Sequence, residues 1–207
     1  VNVKEEDMLT LNRESSTSNK QVKKEWKDLG LKPHGVETYT IYTPGNQPRR
    51  YSSAVDQEHC ENITLETAHI DPETMVGLIQ NITPLAADQL PPIFRFWQQN
   101  IMNEGETLAD FIRYFSNPDN ERQFQGLNQI GQEVPIHMAH GTYRSTLNAL
   151  TSATNFFDVE GATELQSKDI LQRGKYSVID VVGSNGFGFG SVLLRDLLTK
   201  IYEHNSR

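Results

Sequence analysis

The chain has 207 residues, a formal net charge of -8, 36% hydrophobic and 22% charged residues, and one cysteine. That length holds one substantial domain, or a core with a subdomain, and the acidic balance excludes a surface that attracts nucleic acid or anionic membrane over its whole extent. Cys60 alone excludes an internal disulfide framework and a Cys-based zinc site; with no membrane-length apolar run and no signal-peptide pattern, a soluble cytoplasmic protein is expected.

The opening "VNVK" reads as the tail of a strand that begins elsewhere, and the far end stops just after a helix, so both ends are expected to be cut. Residues 10–28 are expected to form a polar loop leading into a short helix whose Lys20, Lys23, Lys24 and Lys27 read as a solvated face, with a phosphate-contacting patch as the alternative. "GVETYTIYTPG" then predicts a strand through Val36, Tyr39, Ile41 and Tyr42, closed by a Pro44-Gly45 turn.

The next stretch changes character. Asp71 and Pro72 form a cap and first helical position ahead of Met75, Leu78, Ile79 and Ile82 at helical spacing. Thr83-Pro84 offers a second cap, and Pro91-Pro92 interrupts before "IFRFWQQNIM" resumes as helix. "TLADFIRYF" sets Leu108, Phe111, Ile112 and Phe115 on one stripe, and "TYRSTLNALTSATNFF" starts from Thr142 as cap. Residues 71–157 are thus expected to be a run of helices with no clear strand, a subdomain inserted between two parts of an α/β core, 1–70 and 158–207. The core returns after Gly174 with Tyr176–Val182, an apolar run broken by Ser177 and Asp180, as suits a buried parallel strand. The last helix is expected to pack Leu194, Leu197, Leu198 and Ile201 on the sheet, with Arg195, Asp196, Lys200 and Glu203 toward water.

Between that strand and that helix lies "GSNGFGFGS", the strand, Gly-rich turn and helix layout of a phosphate cradle. A Walker-type loop needs G-x-x-x-x-G-K-[ST], whose lysine neutralises terminal phosphates and whose hydroxyl holds magnesium. From Gly183 the second glycine is Gly188, but Phe189 stands where lysine belongs; from Gly186 the second position is Ser191. A dinucleotide loop fares no better, because Gly186 and Gly188 fit and Ser191 does not. Gly183, Gly186, Gly188 and Gly190 are therefore expected to form a connection, with Phe187 and Phe189 as contacts for a hydrophobic neighbour or for DNA.

Other constellations fall short as well. His137 and His140 lack a third ligand beyond Glu133, Cys60 adjoins His59 with side chains expected to diverge, and Glu104, Glu106 and Asp110 read as helix-end charges. No metal site is expected.

The order of the pieces resembles the HerA-type ATPases, RecA-like motors related to the FtsK translocases. The likeness is carried by "VNVKEEDML", "WKDLGLKPHGVETYTIYTPG", "RGKYSVIDV" and "LLRDLLTKIYEH", although Glu5 stands where the family commonly has glycine. The resemblance implies a partial RecA-like parallel sheet with a largely helical inserted subdomain. It further implies that the chain lies between Walker A and Walker B, which agrees with the absence of any GK[ST] or strand ending in Asp-Glu. ATP and magnesium would serve the parent and not this chain alone, which is expected to be catalytically silent. The parent would work on DNA as a homo-oligomeric ring, with a nuclease as a possible partner and no membrane. Lys4, Glu6 and Asp7 would approach the nucleotide, while Arg144, Arg173 and Arg195 would be candidates for subunit-interface arginines. Two other readings stand beside this one: a self-contained protein-interaction module, and a degenerate nucleotide-binding domain using Gly183–Ser191.

Overall fold

The computed structural model describes residues 9–14, 16–45, 51–78, 83–181 and 187–205, with backbone alone for 78, 187–189 and 203–205. The protein is α/β. Four parallel strands, β1 (Tyr39–Pro44), β2 (Cys60–Thr64), β5 (Thr163–Glu164) and β6 (Tyr176–Ile179), form a sheet in the order β5-β2-β1-β6, consistent with a partial RecA-like fold. Every residue of β1 is buried, as its central place requires. Gly45, at φ +91°, turns the chain out of β1; a Cβ there would also meet the Asn155 carbonyl oxygen at 3.0 Å.

The helices follow their caps. Asn19 accepts from the amides of Gln21 and Val22 to start α1 (Lys20–Asp28), none of whose residues is buried. Thr83 Oγ1 accepts from Ala86 N at the head of α2 (Pro84–Asn100), and the Asp110 carboxylate accepts from Thr107 N at the head of α3 (Leu108–Phe115). Leu108, Phe111 and Phe115 face inward, as their spacing predicts.

Four local expectations are corrected. Asp71 Oδ1 does receive Glu73 N, but residues Pro72–Leu78 form a 3-10 helix rather than an α-helix. Pro91 and Pro92 do not interrupt α2, which runs through both. Leu90, Ile93, Phe94 and Trp97 are all buried on this helix, and together they outweigh the ~3 kcal/mol that an interior proline costs. Thr142 is not a cap: α4 (His140–Ala153) begins two residues earlier, and the Thr142 carbonyl accepts from Thr146 Oγ1 inside the helix. Finally, the stretch read as a run of helices with no clear strand contains an antiparallel hairpin, β3 (Gln123–Leu127) and β4 (Glu133–His137). Its turn is built by Asn128, whose side-chain oxygen accepts from the amides of Ile130 and Gln132, and by Gly131 at φ +77°.

The hairpin lies against α2 at Gly126. A Cβ at that position would stand 2.6 Å from Ile136 Cδ1 and 3.1 Å from Pro92 Cβ, with the Pro92 backbone carbon at 3.3 Å behind it. Isoleucine can swing away; the α2 backbone cannot. Gly126→Ala is therefore expected to destabilise the fold by about 2 kcal/mol, through overpacking, and to lower the urea midpoint at an unchanged slope.

One face of the sheet, through Tyr42, Ile63 and Ile179, joins Phe94, Trp97, Phe111, Phe115 and Phe124 in a continuous core. Phe111 meets Phe94 edge to face at a centroid distance of 4.8 Å, and Phe115 stacks on Phe124 at 4.9 Å. The other face carries a smaller cluster of Tyr39, Ile41 and Val178 under Leu9 and Val55. After α5 (Ser167–Ile170) and β6, the chain ends its described course in α6 (Phe187–Asn205). α6 buries Val192, Leu193 and Leu197 together with Asp196, and leaves Leu194 and Leu198 exposed. Its inner face is thus turned from the expected one, because Lys200 and Asp196 find polar partners on the core side. No described helix is long and apolar enough to cross a membrane.

Candidate functional site

The chain runs outward from β1 through β2 to β5, then returns to the opposite side of β1 as β6. Strand order reverses at the junction of β1 and β6, and in open parallel sheets the crevice beyond the strand ends at such a junction is where ligands bind. Asp180, just past β6, is paired into the sheet by its amide, which donates to the Tyr42 carbonyl at 2.9 Å. Its carboxylate is 1% exposed, and Oδ2 accepts from the Tyr51 hydroxyl at 3.0 Å. Tyr51 in turn lies 2.7 Å from Thr43 Oγ1, at the end of β1. Burial pushes the Tyr51 phenol well above its ordinary value; the Thr43 hydrogen bond works the other way and the neighbouring Asp180 carboxylate adds to the rise. Tyr51 therefore stays neutral and donates.

Beside this group opens a polar depression of about 470 Å³, lined among others by Thr43, Tyr51, Gln57, Cys60, Asn62 and Gly161. Its lining includes hydroxyls, amides and the Glu61 carboxylate, and neither lysine nor arginine among the described residues. The described part of this lining carries no cation to pair with a phosphate. The Cys60 thiol is pushed up by burial, with the Asp56 and Asp180 carboxylates adding to the effect, and its sulfur faces the Asp56 carbonyl at 3.7 Å. His59 stacks on Tyr39 at 4.2 Å and turns Nδ1 to the Tyr39 carbonyl. The adjacent pair is no nucleophilic dyad.

Lys4, Glu6, Asp7, Gly183 and Gly186 lie outside the described residues, as do the side chains of Phe187 and Phe189. Gly188 falls in the first turn of α6, and Gly190 packs close to Val181, where a Cβ would stand 3.2 Å from the valine side chain. Arg144 on α4, Arg173 before β6 and Arg195 on α6 are exposed and belong to three different elements. His137 and His140 are exposed at the end of β4 and the start of α4. Asp110 caps α3, and Glu106 accepts from Asn103, as helix-end charges do.

Two groups escaped the sequence. Thr43 and Tyr51 had no signal, though Asp180 was visible as the one charge in an apolar strand. The second group is Glu66, His69 and Glu164, whose ligating atoms lie within 4.8 Å of one another. Its only linear trace is the Glu-x-x-His spacing of Glu66 and His69. No protein-family model matches the chain, and no curated protein matches it.

Proposed function

We propose that the chain is the interior part of a HerA-like P-loop ATPase, lying between Walker A and Walker B of a cytoplasmic DNA-translocating or DNA-unwinding motor. The observation that carries this reading is the β1–β6 junction: an all-parallel sheet whose order reverses where a buried carboxylate closes β6, with a long helix following. The motif resemblance of "RGKYSVIDV" and "LLRDLLTKIYEH" falls on that same strand and helix. On this reading Thr43, Tyr51 and Asp180 hold the crevice floor rigid. Phosphate and magnesium are gripped by elements of the parent outside residues 1–207, and Lys4, Glu6 and Asp7 are the nucleotide-proximal candidates that the resemblance assigns. Arg144, Arg173 and Arg195 are the arginines available to a neighbouring subunit in a ring.

The test has two arms. Titration calorimetry of the 207-residue chain with a non-hydrolysable ATP analogue and magnesium is expected to give no heat, while the product of the full reading frame hydrolyses ATP faster when DNA is added. Micromolar binding by the 207-residue chain, lost in Gly188→Val, would instead make Gly183–Ser191 a nucleotide cradle. A full-length product without DNA-stimulated hydrolysis would overturn the motor reading.

A further inference from the structure

We propose that Glu66, His69 and Glu164 bind one divalent transition-metal ion, zinc or manganese, at the opposite side of the sheet from the β1–β6 junction. The inference is independent of the nucleotide reading. Glu66 and His69 lie on the turn that follows β2, and Glu164 is the last residue of β5, the edge strand that pairs with β2. Parallel pairing therefore brings a turn and a strand end together although they are far apart in sequence.

His69 Nδ1 stands 3.0 Å from Glu66 Oε2 and 3.1 Å from Glu164 Oε2. One imidazole nitrogen carries at most one proton, so it cannot give each carboxylate a hydrogen bond of its own. A metal ion with ligands at about 2.1 Å holds neighbouring donor atoms about 3.0–3.5 Å apart, which is the separation seen on both sides of Nδ1. The donor set, one imidazole nitrogen and two carboxylate oxygens, suits zinc or manganese better than calcium or magnesium, which favour oxygen alone. His69 and Glu66 are 59% and 41% exposed, so an ion can enter from solvent, while Glu164 is 12% exposed and fixed.

A second observation points to a ligand. The cavity at this cluster, about 390 Å³, is lined by His69, Asp71, Thr74, Glu164, Asp196 and Lys200, among others. Thr74 is 1% exposed and its hydroxyl oxygen has no hydrogen-bonding partner among the described residues. Buried hydroxyls are ordinarily satisfied, and this unpaired one belongs to a residue on the wall of the same cavity as His69 and Glu164. The surrounding charge favours a cation as well: among the described residues Asp71, Glu164 and Asp196 line the cavity with Lys200 as the one lysine or arginine, and Glu66 lies beside them. Lys200 Nζ holds Glu164 Oε1 at 2.8 Å and leaves Oε2 toward His69, which orients the ligand as outer partners do in metal sites.

The experiment is calorimetric titration of the chelator-treated 207-residue chain with zinc chloride and with manganese chloride, with magnesium chloride as the comparison. One zinc or manganese ion per chain is expected, bound at least tenfold more weakly by His69→Ala and by Glu66→Gln and unchanged in His140→Ala. Both informative variants are at surface positions, and circular dichroism checks that they fold. Absence of heat with zinc and manganese would overturn the proposal, as would binding that His69→Ala leaves intact or that His140→Ala removes.

Discussion

Asp158→Ala is expected to destabilise the protein by about 4 kcal/mol, because it removes a charged acceptor of three hydrogen bonds at a left-handed backbone position. Its Oδ1 accepts from Thr67 N at 2.9 Å; its Oδ2 accepts from Thr67 Oγ1 at 2.6 Å and from Leu108 N at 2.8 Å. Thr67 follows β2 and Leu108 opens α3, so one carboxylate ties the sheet to the aromatic helix layer. The chain is guided there by the Leu65–Phe157 bridge and by Asp158 N donating to the Leu65 carbonyl at 2.9 Å. Alanine leaves the Leu108 amide at the helix start without its acceptor, and at φ 51° it also meets the steric cost that aspartate tolerates better. Asp158→Asn keeps one acceptor oxygen and the same conformational tolerance, and should lose about half as much. Urea unfolding of the two variants beside wild type measures both. A loss below about 1 kcal/mol for alanine would mean that the tie contributes little over solvation of its parts.

What could be read in the sequence divides by range. Asn19, Thr83 and Asp110 accept from amides within three residues of themselves, so the starts of α1, α2 and α3 are written locally. The α/β class was visible for a similar reason: β-branched runs such as "YTIY" and "YSVI" mark buried strands wherever they pair. The hairpin was hidden because its strands contain the residues that argue against strands. Gly126 is there because α2 leaves no room for a side chain, and Pro135 is exposed on a two-stranded ribbon, where each strand has an open edge that tolerates a missing amide donor. Pro91 and Pro92 misled in the opposite sense, since local propensity said break and the burial of four large neighbours said continue. The candidate sites were the least visible. Tyr51 and Asp180 meet over 129 positions, with Thr43 farther still from Asp180, and Glu66, His69 and Glu164 meet over nearly a hundred, so only the strand order brings them together.

The same distance explains α6, and it gives the second large effect. Heptad reasoning sends Asp196 and Lys200 to water, yet they are 8% and 17% exposed, with Lys200 Nζ 2.8 Å from both Asp196 Oδ2 and Glu164 Oε1. Lys200→Met keeps the aliphatic stem and removes the charge, leaving two buried carboxylates facing each other, and should cost about 3–5 kcal/mol near neutral pH. The pH dependence distinguishes this from lost packing. Burial pushes Glu164 up, but the hydrogen bond and charge of Lys200, with His69 adding, outweigh it and hold the group below the ordinary glutamate value. Burial likewise raises Asp196, and there Lys200 offsets only part of the rise while Glu164 and Asp71 add to it. Burial works to lower Lys200, and its two carboxylate partners overcome that and raise it. In wild type, the Glu164 contribution is present above the unfolded glutamate value and is lost as pH falls through its lower folded value; the Lys200 contribution is lost only as pH rises through its raised value. Without the lysine, burial is expected to lift both carboxyls above their unfolded values, Glu164 against the remaining pull of His69, so the folded variant should bind more protons than the unfolded chain and gain stability as pH falls. The deficit of Lys200→Met against wild type should therefore shrink between pH 8 and pH 5, measured by urea unfolding across that range. A deficit that stays constant over the range would assign the loss to packing of the lysine stem and not to the stranded carboxylates.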